Sequence, residues 1–519
     1  MKRRTLLKRA GIGIAGLGAG LFSRAALAAW GDQPGGVWPA ASGPVRSILE
    51  IYLWGGMAPW ETFYFRPGTG NTSRGFDADV SSLSWNAACP GTPAGLVSQF
   101  LANDSSGKAV HLGPFAKPLW RTDIASRLRV IVMQHDLAPH EAAIPYALSG
   151  RRLGRPGACG LGAPMQRRAR ALDATNAHPL PFSYCMAPDA AIGSPLFNML
   201  DAVGDHGGNA KPVVIPIGSS TPSFVANLNR VVGAGADPLL SQYRAQYASR
   251  MVPAGSNDRA RSAAFSDYDS SVSSLFSAPS LSGLLGSAPL TPGAAQFCST
   301  DTPPTLANGS HFAGTALQAA AFLLNNPTAA QQANYVCVVD GGLNNLGFAY
   351  DVHNSGGPPG QAQRTSSNIW ETLSALAGII RAPADPPDPL KINLNDTLVV
   401  IRTEFGRTPF RSNGGTPLPA SNGRDHWPDG YASVLIGGPI QTAGVVGSIS
   451  DGTGNTGQGV ADAGFNYKPQ DVQAAALLAA GIDPFADGNL PVGDLTPSLF
   501  AATHLQASIN LRQILLGVP

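Results

Sequence analysis

Tyr335-Val336-Cys337-Val338-Val339 and Leu398-Val399-Val400-Ile401 are near-continuous apolar runs, and between them Ile369, Leu373, Leu376 and Ile380 recur at steps of four, three and four. Apolar runs without polar alternation suit strands buried on both faces, and the intervening spacing marks one face of a helix. The stretch therefore reads strand, helix, strand. Outward from it, similar runs stand at Ile48 to Trp54, Val130 to Met133, Val213 to Ile217 and Val434 to Ile436. Such alternation predicts an α/β fold with a largely parallel central sheet, right-handed crossovers and helices on both faces. Pro469-Gln470-Asp471 opens one more helix, rich in Ala and Leu, with Gly481 just past its end. Residues 236–300, rich in Ser, Ala, Gly and Pro with a short helical pattern around Leu239 to Met251, break the rhythm and read as a loop-rich insertion over one end of the sheet. One domain spanning 45–505 is expected, with no repeat of fixed period and no clear linker.

The first 28 residues stand apart. Lys2-Arg3-Arg4-Thr5-Leu6-Leu7-Lys8 precedes a weakly apolar stretch from Ala10 to Ser23, too short for the roughly 20 residues of a spanning helix. Ala26-Leu27-Ala28 supplies small residues for a signal peptidase, so cleavage after Ala28 is expected. The arginine pair resembles twin-arginine export signals, which implies a chain that folds before crossing to the periplasm or beyond. Residues 2, 3, 4, 8, 9 and 24 carry the segment's positive charge; without them the basic residues are fewer than the 33 acidic ones. That balance, with no Lys/Arg run, argues against nucleic acid or an anionic membrane as main partner. Cys89, Cys159, Cys185, Cys298 and Cys337 show neither haem-attachment nor cluster spacing. A redox cargo finds no support beyond the export route. At most two disulfides are expected, and Cys337 reads as part of a buried strand.

In an open parallel sheet ligands bind beyond the carboxyl ends of the strands. Gly55-Gly56 and Glu61 follow the first run, and Asp351-Val352-His353 follows the run at 335–339. Thr403-Glu404-Phe405-Gly406-Arg407-Thr408-Pro409 follows the run at 398–401, and Gly423-Arg424-Asp425-His426-Trp427-Pro428 precedes the run at 434–436. Carboxylates and imidazoles gathered at one edge are the ligand types of a divalent cation, while each short motif alone is equally compatible with a surface loop, a cap or a structural ion pair.

The Glu-Phe-Gly-Arg-Thr-Pro and Gly-Arg-Asp-His motifs resemble the secreted family catalogued as domain of unknown function 1501, within the alkaline-phosphatase and sulfatase-like superfamily. Gly55-Gly56, His140 before Leu148-Ser149-Gly150, Gly154-Arg155-Pro156, Asp351-Val352-His353 and the Asp471 helix extend the resemblance over roughly residues 45–485. It implies an alkaline-phosphatase-like fold and one or two divalent cations, Zn, Mn or Ca, held by Glu61, Asp351, His353, Glu404, Asp425 and His426. Related chains carry Asp where Glu61 stands. The superfamily nucleophile, a Ser, Thr or modified Cys, has no counterpart in His135-Asp136-Leu137-Ala138-Pro139-His140-Glu141-Ala142-Ala143. His140 falls near that position as ligand or general base. Arg407 and Arg424 are candidate clamps for a phosphate or sulfate group, or else structural partners of Asp425 or Glu404.

The expected function is an exported, metal-dependent hydrolase of a small or polymeric anionic ester, a phosphate or sulfate, acting through metal-bound water. The alternative is a non-catalytic binding or assembly protein on a degenerate phosphatase scaffold. Neither expects a stable membrane span after cleavage.

Overall fold

The computed structural model describes residues 36–39, 43–66, 91–92, 95–96, 98–152, 159–173, 180–188, 212–218, 220–228, 238–239, 242–243, 245–246, 278–288, 312–328, 331–341, 350–351, 358–409, 412–413, 416–417, 424–451, 458–486 and 490–519. The export segment expected at 1–28, His353, Cys89 and Cys298 lie outside them.

Eight strands form one sheet: β1 Ser47–Leu53, β2 Leu128–Met133, β3 Ser183–Pro188, β4 Val213–Ile217, β5 Tyr335–Asp340, β6 Thr397–Arg402, β7 Tyr431–Gly437 and β8 Gly444–Val446. Their order is β8-β2-β7-β6-β1-β5-β3-β4. The β1 strand pairs in parallel with both β6 and β5. Only β7 runs against its neighbours, β6 and β2. The apolar runs are all strands, and the sheet is mostly parallel as the sequence predicts. Both β3 and β8 were not anticipated: Ser183-Tyr184-Cys185-Met186-Ala187-Pro188 mixes polar and apolar residues, and β8 is only three residues long.

Successive side chains in a strand point to opposite faces, and here both faces are covered. Leu49, Ile51 and Leu53 of β1, with Val336, Val338, Val399 and Ile401, pack in one apolar core with helices α3 Phe312–Leu324 and α4 Pro358–Ile379. The predicted stripe Ile369, Leu373, Leu376 and Ile380 lies in this core. Ile48, Tyr52, Cys337, Leu398 and Val400 face the other core, built with helices α1 His140–Ser149, α2 Gly162–Leu172 and α5 Pro469–Ala479. Part of the expected insertion is a helix at Ala278–Ser287, bonded to Thr221–Leu228 by the Ser282 hydroxyl donating to the Val225 carbonyl (3.1 Å). Cys337 is buried in β5 as predicted, and among the described residues Cys185 and Cys337 are free thiols. Among the described residues no helix is long and apolar enough to cross a membrane.

A buried guanidinium fixes α1 and α5 against the sheet, and a buried carboxyl caps α5. The Arg402 guanidinium at the end of β6 lies 3.3 Å from Glu50 of β1 and donates to the Ala147 carbonyl of α1 (3.0 Å) and to Gln473 of α5 (2.9 Å). Asp471 at the start of α5 accepts the backbone N–H groups of Lys468 (2.8 Å) and Thr496 (3.0 Å) and the Thr496 hydroxyl (2.6 Å). Burial nevertheless dominates and pushes its carboxyl up to about 6. Because the folded chain then holds a proton that the unfolded chain has released, stability should fall as pH rises from about 4 to about 6. At about 1.4 kcal/mol per unit the contribution is at most about 3 kcal/mol. Urea unfolding across that interval, beside Asp471→Asn, checks it: the variant should lose this slope.

Candidate metal centre

The carboxyl ends of β5, β1 and β6, the central strands, open onto one edge, and the chain places polar residues there by tight packing of backbone. Gly55 and Gly56 leave β1 with φ of 118° and 88°. A Cβ on Gly55 would stand 2.5 Å from the Asp351 backbone nitrogen, and one on Gly56 would stand 2.7 Å from the Phe405 ring. Only glycine permits both the dihedral and the approach. The Tyr350 N–H donates to the Trp54 carbonyl (3.1 Å), and the Tyr350 hydroxyl donates to buried Asp340 at the end of β5 (2.6 Å). Asp351 is thereby pinned over the exit of β1.

His140 enters from another direction, as the first residue of α1 after β2. Its Nδ1 lies 2.8 Å from Glu404 Oε1, and its Nε2 lies 3.5 Å from Asp351 Oδ2. Burial alone would lower its pKa, but the Asp351 and Glu404 carboxylates outweigh that and raise it to about 9. His426 arrives on the turn before β7, in a two-residue ribbon where it pairs with Arg407. Its ring meets that of His140 edge-on at 4.4 Å and lies tilted on Phe405 at 4.2 Å.

His140, Asp351 and His426 each offer a ligand atom, all three lying within 4.8 Å of one another. They come from three separate strand ends, the assembly from distant sequence that the motifs suggested. Among the described residues this is the one such trio. Two imidazoles and a carboxylate are donors that Zn or Mn accepts, whereas Ca takes oxygen ligands, so the set fits the first two better. A cation held by these three donors alone would keep a coordination position open.

Glu404, Glu61 and Asp425 lie outside the trio. Glu404 is fully buried and accepts from the Gly55 N–H (2.9 Å) and the Tyr52 hydroxyl (3.0 Å) as well as facing His140. Buried Glu61 faces Arg424 with both carboxyl oxygens, at 3.2 and 3.1 Å. Burial raises the Glu61 pKa against the opposing pull of that guanidinium. Asp425 is half-buried; its carbonyl accepts the Thr408 N–H (3.0 Å) and its own N–H donates to the Thr408 hydroxyl (3.2 Å). Arg407 is wholly buried; it donates to the carbonyls of Gly55, Gly56 and Arg424 and, at 3.0 Å, to Asp351. The bonds found for both arginines thus run inward, to backbone and to acids, but these acids are Asp351 and Glu61 rather than the Asp425 or Glu404 expected as structural partners.

Two contributors were not anticipated. Tyr52 reads as one more apolar strand residue, yet its hydroxyl reaches Glu404. His135 receives the Leu137 N–H on Nδ1 (3.1 Å), so its Nε2 carries the proton and donates to the Glu404 carbonyl at 2.7 Å. Burial lowers its pKa, keeping it neutral. His135 stands two residues past β2, where the strand-end rule would have found it.

A search of curated proteins found no match to this chain. A family model described as a protein of unknown function, DUF1501, matches residues 307–486, the part that carries β5, β6, β7, α5, Asp351 and His426, and this match supports the family expected from the Glu-Phe-Gly-Arg-Thr-Pro and Gly-Arg-Asp-His motifs.

Proposed function

We propose that this chain is an exported metal-dependent hydrolase with an alkaline-phosphatase-like fold, binding one divalent cation through His140, Asp351 and His426. The observation that carries the reading is the convergence of these three donors, from the ends of β2 and β5 and the turn before β7, within 4.8 Å of one another. A cation held there supplies Lewis acidity toward water and toward an ester oxygen. The chain's own groups set the stage for it. Arg407 fixes Asp351, Glu404 meets the far nitrogen of His140, and His426 is held against Phe405. With no Ser, Thr or Cys in the segment between β2 and α1, attack by water is the simplest route to hydrolysis. A phosphate or sulfate ester as substrate rests on the superfamily resemblance, and export on the twin-arginine segment.

The test is a panel of aryl phosphate monoesters, phosphodiesters, sulfates and carboxylic esters, offered to chelator-stripped protein reloaded with Zn2+ or Mn2+. Metal-dependent turnover of one class, lost in Asp351→Ala, is expected. A folded, metal-loaded protein that hydrolyses none of them would sink the reading. One observation favours a second reading, a binding or assembly protein: Arg407 and Arg424, the expected anion clamps, are buried and bonded to Asp351 and Glu61.

A further inference from the structure

We infer that Glu404 is not a ligand of the cation but the carboxylate that orients His140 toward it, with Tyr52 holding Glu404 in turn. The inference rests on the metal reading above and assigns a different task to the acid of the Glu-Phe-Gly-Arg-Thr-Pro motif.

The bonding of Glu404 decides the matter. A carboxylate has about four lone-pair positions. Oε1 faces the Gly55 N–H at 2.9 Å and the His140 Nδ1 at 2.8 Å. Oε2 accepts the Tyr52 hydroxyl at 3.0 Å; the Thr403 hydroxyl, 3.3 Å away, has the Phe405 carbonyl as its nearer acceptor at 3.2 Å. The Gly55, His140 and Tyr52 donors belong to the fold itself, and the side chain is fully buried. A cation could reach Oε1, the oxygen beside His140, only by displacing one of its two donors, leaving a buried donor unsatisfied at about 1–3 kcal/mol.

The same bonds set the imidazole. With Nδ1 donating to Glu404, the ring can turn only Nε2 toward Asp351 and His426, and Nε2 is indeed the atom 3.5 Å from Asp351. Histidine ligands of metals commonly give their second nitrogen to a carboxylate, which fixes the ring and strengthens the donor. Tyr52 extends the chain by one bond. It sits in β1 in register with Arg402 of β6, two residues before Glu404, so the sheet itself places its hydroxyl under the carboxylate.

Cobalt(II), a visible-spectrum probe of Zn-type sites, separates the possibilities when titrated into chelator-stripped protein. The set compared is the parent, Glu404→Gln, Tyr52→Phe and, as the reference for loss of a ligand, His426→Ala, each checked for folding by near-ultraviolet circular dichroism. Glu404→Gln should weaken cobalt binding by about 10- to 100-fold, the range for outer-shell partners, with the absorption bands of the parent retained. Tyr52→Phe should weaken it less, again with parental bands, and remains informative if Glu404→Gln fails to fold. Bands that shift in Glu404→Gln as they do in His426→Ala would make Glu404 a ligand and overturn the inference. Unchanged affinity in both Glu404→Gln and Tyr52→Phe would overturn it equally. A parent that takes up no cobalt would instead remove the metal reading beneath it.

Discussion

Replacing Arg407 by Met should cost about 3–5 kcal/mol of folding stability, because it leaves the carbonyls of Gly55, Gly56 and Arg424 without their donor at about 1–3 kcal/mol for each buried group. The guanidinium is wholly buried, and burial lowers its pKa against the pull of Asp351 and Glu404. Its bonds join three separate segments: the Gly55-Gly56 turn, the Arg424 carbonyl and the Asp351 carboxylate. Methionine fills the volume of the stem and satisfies none of these acceptors. Lysine restores charge but not the planar fork, so it should recover only part of the loss. Urea denaturation of the three proteins reads the effect. A clamp on substrate would behave differently, with stability preserved and KM raised.

Removing a donor of the trio should lower cation affinity by more than about a hundredfold, beyond the range for outer-shell partners. The two accessible donors should nevertheless differ in their effect on folding. His426 is half-buried, lies tilted on Phe405 and meets His140 edge-on, so His426→Ala should weaken binding by more than about a hundredfold while changing stability by about 1 kcal/mol or less. Asp351→Ala also takes a carboxylate from buried Arg407 and should cost a further 1–3 kcal/mol or so. Calorimetric titration with Zn2+ beside thermal unfolding separates the two effects. Equal destabilisation by both substitutions would contradict the inward bonding of Arg407.

The fold was legible because its strands are buried on both faces, which leaves continuous apolar runs such as Leu398 to Ile401. The β3 strand escaped because it carries Ser183, Cys185 and a terminal Pro188 on a strand near the sheet edge, where the apolar run breaks. Legible one by one were Asp351 and His426, among six expected ligands, and His140, expected as ligand or base, whereas Glu61, Glu404 and Asp425 lie outside the trio. The division of labour among them was not legible. Nothing in Glu404 as a letter tells whether its oxygens face a cation or internal donors, since that depends on Tyr52, Gly55 and His140 meeting it from two other strand ends. Likewise Glu61 and Arg424 are 363 residues apart, and only the closing of β1 against the turn before β7 reveals them as a buried pair. Spacing along the chain carries information about strands and helices, but contacts across the sheet edge are set by topology.

The most direct test is elemental analysis of the protein, purified without chelators, beside a folded variant carrying His140→Ala, Asp351→Ala and His426→Ala. Near-stoichiometric Zn or Mn in the parent and none in the variant is the predicted result. A folded parent that carries no metal and takes up none on incubation would contradict the metal centre and, with it, the hydrolase.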